Sequence, residues 1–161
     1  RRLSITDDLT GLYNHRHFFK TLEAELARLK RQKTSLSLLM FDLDNFKKYN
    51  DFHGHLEGDR VLRRIGEIIK NSIRNNVDSG YRYGGDEFAA LLIGASLDQA
   101  LTIAERIRSS IEEAGFKSIT VSIGLTEYRD GFDLERFVKS ADDAMYAAKH
   151  SGGNRVYTNI P

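Results

Sequence analysis

Arg82-Tyr83-Gly84-Gly85-Asp86-Glu87-Phe88 joins a short β-type run, Gly80 to Tyr83, to a longer apolar one, Phe88 to Ile93. Two glycines and two carboxylates between strand-like segments predict a β-hairpin. Gly-Gly supplies the positive φ values of a tight two-residue turn, so the residues that follow are held at the tip of a rigid ribbon. Taken alone, such a tip is more often a surface turn bearing solvated acids. A second acidic cluster changes the reading. Leu36 to Leu43 is a nearly unbroken apolar run of strand length that closes on Asp42-Leu43-Asp44. A central strand buried on both faces reads this way, and it delivers its acids where the sheet meets solvent.

Outward from these two strands, apolar spacing predicts a helix from His15 to Arg31, with Phe18, Leu22, Leu26 and Leu29 on one face. A short helix from Asn45 to Asp51, a turn at Phe52-His53-Gly54-His55 and a long helix from Leu56 to Arg74 follow. Ser96 to Ala114 and Asp133 to His150 read as two more amphipathic helices, and Ser118 to Leu125 and Arg155 to Tyr157 as strands. The order helix, then β, α, α, β, β, α, β, α, β, predicts an α/β sandwich whose sheet contains an antiparallel hairpin.

The chain has 161 residues, 40% hydrophobic and 29% charged, which fits one compact domain with a sizeable core. Lys and Arg number 24 against 23 Asp and Glu, so no basic field argues for nucleic acid. Without cysteine there are no disulfides and no thiolate metal sites, and no apolar run is long enough to span a membrane. The opening Arg1-Arg2-Leu3, without an initiator Met, is read as the start of a domain cut from a longer protein.

If adjacent strands place the end at Asp42 beside the tip at Asp86, two or three carboxylates converge. Like charges that close need a divalent cation or a proton between them. An all-oxygen donor set points to Mg²⁺ or Mn²⁺, held partly by substrate phosphates, as in two-metal phosphoryl chemistry. A calcium loop beginning at Asp42 fails, because Lys47 stands where the sharp turn needs Gly and His53 where a closing Glu is needed. His53-Gly54-His55 has no third metal ligand nearby and reads as a turn with polar contacts. Neither a Walker phosphate loop nor a Rossmann glycine fingerprint is present.

These residues resemble the GGDEF domains, the diguanylate cyclase family related to class III nucleotidyl cyclases and polymerase palms. The resemblance covers essentially all of the chain, 1–161, as a single domain. It rests on Asp8-Leu9-Thr10-Gly11-Leu12-Tyr13-Asn14, on Phe41-Asp42-Leu43-Asp44-Asn45-Phe46-Lys47 continuing through Asn50-Asp51, Gly54-His55 and Gly58-Asp59, on Arg82 to Phe88, and on Ala141 to Lys149. It implies a palm-like sandwich with a central five-stranded mixed sheet flanked by helices. It implies an enzyme that condenses two GTP into cyclic di-GMP with release of pyrophosphate, working as a homodimer with Mg²⁺ or Mn²⁺. By the same resemblance Asp42, Asp86 and the Leu43 carbonyl hold metal, Asp86 is the candidate base with Glu87 beside it, and Lys47 offsets transition-state charge. Asn50 and Asp59 read guanine, His55 and Phe46 line that pocket, and Lys149 reaches a phosphate. The bland alternatives are surface lysines at Lys47 and Lys149, helix caps at Asp44 and Asp59, and a core role for Phe46 and Phe88.

The resemblance further implies an upstream sensor or receiver domain in the parent, and a cytoplasmic domain, whether or not that parent is membrane-anchored. It implies no nucleic-acid partner and no direct membrane contact by the domain. The sequence departs from the family pattern at three places. The product-inhibition frame Arg-x-x-Asp reads Asn75-Asn76-Val77-Asp78, with Arg74 one position early, so weak or absent feedback is expected there. Gly153 stands where the tail often has a phosphate-binding Arg, and His15 where the opening motif often has Arg. The competing reading is a silent module that binds GTP or a partner protein without turnover. A polymerase-palm fragment is the third, and the near-neutral charge offers it no primer-template groove.

Overall fold

The computed structural model describes residues 3–158. Arg1 and Arg2, part of the opening from which an upstream segment is inferred, lie outside them. Along the chain run α1 (His15–Leu29), β1 (Leu36–Asp44), α2 (Phe46–His53), α3 (His55–Ser72), β2 (Ser79–Arg82), β3 (Glu87–Ile93), α4 (Leu97–Glu113), β4 (Thr120–Glu127), α5 (Leu134–His150) and β5 (Arg155–Thr158). The strands form one mixed sheet in the order β2-β3-β1-β4-β5. β1 is central and antiparallel to both β3 and β4, and β5 joins β4 in parallel.

Side chains alternate across a strand, so β1 feeds two cores. Leu39, Phe41 and Leu43 pack with Val61, Ile65 and Ile69 of α3 and with Ile103 and Ile107 of α4. Leu36, Leu38 and Met40 pack with Phe18 and Leu22 of α1 and with Phe137, Ala141 and Met145 of α5. Coverage of both faces is why the strand reads as an unbroken apolar run. Asp42 continues the second set, so parity alone aims it toward α5.

The α5 face of β4 carries small residues, Ser122, Gly124 and Thr126. A Cβ on Gly124 would run into the α5 backbone at Ala141 and Met145, so strand and helix approach closer than any larger residue allows. Helices α1, α4 and α5 begin on side-chain caps: Asn14 accepts from His17 N, Ser96 and Gln99 form a capping box, and Asp133 accepts from Arg136 N.

Several boundaries differ from expectation. Only Gly54 separates α2 from α3, because its φ of +89° turns the chain in a single residue. The helix α3 stops at Ser72, since the Arg74 amide and guanidinium are both taken by Asp78. Ser118 adopts φ +69°, and β4 starts two residues later. The hairpin loop is longer than two residues: the last pair is Arg82 with Phe88, and the Glu87 carbonyl accepts from both Tyr83 N (2.8 Å) and Gly84 N (3.0 Å). Neither Gly84 nor Gly85 has positive φ. Arg82 shapes the loop instead, donating from Nε to the Gly84 carbonyl (3.1 Å) and from Nη2 to that of Gly85 (2.9 Å).

Candidate active site

The antiparallel register sets Glu87 directly opposite Asp42 at the sheet margin. Asp86 lies one step further out, and its carbonyl accepts from Leu43 N at 3.2 Å. The strand end and the ribbon tip therefore meet, as the juxtaposition of Asp42 and Asp86 requires. Like charges directly opposite on paired strands repel. Burial pushes the Asp42 carboxyl above its ordinary pKa, and Asp86 and Asp44 add to this against the opposing pull of Lys149. Glu87 is raised too, first by burial and then by Asp42, Asp142 and Asp86.

One cleft of about 440 Å³ collects Asp42, Leu43, Phe46, Lys47, Asp86, Glu87 and Lys149. Its floor is the junction of β1 and α2, where Asn45 sits in the left-handed region at φ +64°. Asn45 does not cap the helix; its side-chain amide donates to the Ser118 carbonyl at 3.0 Å. The first turn of α2 keeps its N–H groups without a side-chain acceptor, a favourable place for an anion.

Asn50, His55 and Asp59 lie outside that cleft lining, around the α2–α3 corner. Asn50 Nδ2 lies 3.2 Å from His55 Nδ1, to which it donates when the ring proton is on Nε2. Gly58 lies beneath them, since a Cβ there would strike the Asn50 carboxamide. Asp59 is the fifth residue of α3, half-buried, which rules out a capping role.

Lys149 is placed differently from the expectation of a free phosphate ligand. Its ammonium donates to the Leu43 carbonyl (3.0 Å) and lies 3.3 Å from Asp42 Oδ2 and 3.4 Å from Asp44 Oδ1. Asp44 is no helix cap. It is 7% exposed and accepts from Thr120 Oγ1 (2.7 Å), Ser122 Oγ (2.7 Å) and Asn154 N (2.8 Å). This one carboxylate ties β1 to β4 and to the turn between α5 and β5.

Three further residues carry roles that the sequence did not disclose. Asp7 accepts from the Thr10 amide and hydroxyl and from Arg82 Nη1 at 3.3 Å, which anchors the hairpin base to the opening loop. Arg82 reads in sequence as no more than a ribbon residue. Asp142 acts electrostatically on Glu87 and on Tyr83. Its seven-residue spacing to Lys149 places both on one face of α5, a signal available in the sequence.

The oxygen donors Asp42, Asp86 and the Leu43 carbonyl fit a hard divalent cation, and the ammonium already seated on two of them shows that the strand end attracts positive charge. Among the described residues no three acidic or imidazole side chains cluster as a complete ligand set. Such an ion would draw its remaining ligands from substrate and water.

A mixed sheet whose central strand ends on acids beside an acidic hairpin, with an uncapped helix start between them, defines an α/β domain with an acidic cleft at its sheet margin. Residues 4–155 match the family described as diguanylate cyclase, GGDEF domain, and the chain belongs to that family. It is 40% identical to diguanylate cyclase A of Treponema denticola over 96% of this chain and 44% of that protein. It is also 40% identical to diguanylate cyclase DosC of Escherichia coli, over 93% of this chain and 34% of DosC. The chain thus spans less than half the length of these relatives. The crystal structure of the GGDEF domain of DgcB from Caulobacter crescentus, in complex with c-di-GMP, matches with a TM-score of 0.93 at 33% identity, covering 99% of this chain and 98% of that one.

Proposed function

We propose that this domain condenses two molecules of GTP into cyclic di-GMP, each of two facing copies presenting one nucleotide. In each half-reaction a ribose 3′-hydroxyl attacks the α-phosphorus of the opposite nucleotide, the bond to the β-phosphate breaks, and pyrophosphate leaves. Asp86, at the ribbon tip, is the base that takes the hydroxyl proton, with Glu87 beside it. The N-terminal amides of α2 and Lys47 receive the phosphates. Asn50 and Asp59 read the guanine edge, with His55 and Phe46 lining its pocket. Asp42, Asp86 and the Leu43 carbonyl would hold Mg²⁺ or Mn²⁺, which, when bound, lowers the pKa of the attacking hydroxyl and offsets charge on the leaving oxygen.

The observation that carries this reading is the register of β1 against β3, which puts the strand end at Asp42 and the ribbon tip at Asp86 on one cleft. Weak or absent product feedback follows from Asp78: its side chain is 0% exposed and is saturated by the Arg74 amide and guanidinium and by Ile93 N. The Asp78 carboxylate therefore has no oxygen left for a ligand. Among the described residues no helix is long and apolar enough to cross a membrane. The relatives' greater length fits a parent with an upstream sensor or receiver domain that brings two copies together, with this domain in the cytoplasm.

The test is turnover as a function of protein concentration, with GTP or ATP and Mg²⁺. A rate that rises with the square of concentration in the dilute range, with cyclic di-GMP from GTP alone, is expected. A rate linear in protein, or no product even in a chain forced to dimerise, would refute it.

A further inference from the structure

The Lys149 ammonium has three protons and no lone pair, so it makes at most three good hydrogen bonds. Three oxygens already surround it: the Leu43 carbonyl at 3.0 Å, Asp42 Oδ2 at 3.3 Å and Asp44 Oδ1 at 3.4 Å. Nothing remains with which to grip a phosphate. Two of the three, the Leu43 carbonyl and the Asp42 carboxylate, are the oxygens that the proposed function gives to the divalent ion. One pair of ligands is thus claimed by two cations.

A divalent ion bound at hard-ligand distance, roughly 2 Å from those oxygens, would lie within a few ångströms of the ammonium. In a half-buried cleft, charges of the same sign at that spacing repel strongly. The lysine can move, because its side chain is 33% exposed and its long stem leads out to solvent. Asp44 cannot follow it, being held by Thr120, Ser122 and Asn154.

We propose that Lys149 is an internal stand-in for the divalent ion: it neutralises the end of β1 in the ion-free domain and is expelled when the ion binds. Only then is its charge available to a nucleotide phosphate. This rests on the metal site of the proposed function. Lys149 is then a positioning residue that links ion binding to nucleotide binding, with effects on the two ligands that oppose each other. Removing it should tighten the bare ion and weaken the nucleotide. By reciprocity of linkage, the ion should strengthen GTP binding more in the wild type than in a variant that lacks the ammonium.

The experiment is a Mn²⁺ titration without nucleotide, followed by the paramagnetic resonance of the free ion, on the wild type, Lys149→Met, Lys149→Arg and Asp86→Ala. Lys149→Met is expected to bind Mn²⁺ about tenfold more tightly than the wild type, a coupling of ordinary size between two ligands. Lys149→Arg, which keeps the positive charge, should stay near the wild type, and Asp86→Ala should bind least. Equal or weaker binding by Lys149→Met overturns the proposal while leaving the metal site intact. Absence of Mn²⁺ binding in every protein, with or without GTP, removes the metal site and this proposal with it. Should Lys149→Met fail to fold, the wild type decides through the ¹⁵N resonance of its Lys149 ammonium. Loss of exchange protection on saturation with Mg²⁺ supports displacement, and an unchanged protected signal refutes it.

Discussion

Replacing Asp44 with Ala removes the one acceptor shared by three elements. Ser122 is fully buried, so its hydroxyl is left with no oxygen to bond, and the Asn154 amide loses its partner as well. Each stranded donor costs about 1–2 kcal/mol, while the Thr120 hydroxyl, nearer the surface, finds water. The sum is about 3 kcal/mol, a large share of the roughly 5–15 kcal/mol that holds a domain together. For a domain of this size that lowers the thermal midpoint by about 6–12 °C. Asp44→Asn should cost about half as much, because the amide keeps one acceptor and a hydroxyl can rotate to accept from its NH₂. Thermal and urea unfolding followed by circular dichroism on the three proteins measures this. A loss below about 1 kcal/mol for Asp44→Ala would refute the view that this carboxylate anchors the strand end.

Asp42 should behave in the opposite way. An acid whose folded pKa is raised costs stability when ionised, and that cost fades as pH falls through the folded value toward the unfolded one. Asp42→Asn should therefore melt higher than the wild type at about pH 8, with the margin closing toward about pH 4, while turnover is lost. Arg82→Ala frees the Gly84 and Gly85 carbonyls and should lower the rate about a hundredfold for about 1–2 kcal/mol of stability, measured by steady-state kinetics beside a melt. Its partner Asp7 is opposed by burial but held below its ordinary pKa by Thr10 and Arg82, so its stabilising contribution is present near neutrality and lost as pH drops through that lowered value. An acid titration of Asp7→Asn, flatter than that of the wild type below about pH 4, checks this. Gly58→Ala should push the Asn50 carboxamide aside and raise the KM for GTP about tenfold with little change in melting, read from initial rates.

Burial on both faces makes β1 legible, because an apolar run of strand length that closes on acids is what a central strand needs when only its end meets water. Helix faces are equally plain, since Phe18, Leu22 and Leu26, or Ile103 and Ile107, recur at helical spacing and all reach a core. The hairpin forms where the sequence places it, but not for the expected reason. Its glycines do not supply left-handed φ, and the loop is pinned by a guanidinium whose reach no turn preference encodes. Asp44 resembles a cap in sequence because its partners Thr120, Ser122 and Asn154 lie 76 to 110 residues away, beyond any local pattern. Family resemblance assigns Lys149 to a phosphate, while the fold sets it on the backbone of β1, a contact across 106 residues.

On the proposed function, the carboxylates brought together by the β1–β3 register do the chemistry. The direct measurement is cyclic di-GMP formed from GTP and Mg²⁺ by the dimerised domain, beside Asp86→Ala of unchanged circular dichroism. Steady product from the wild type and a loss of about a thousandfold or more in the variant is the predicted result. Equal product from the two proteins would contradict it.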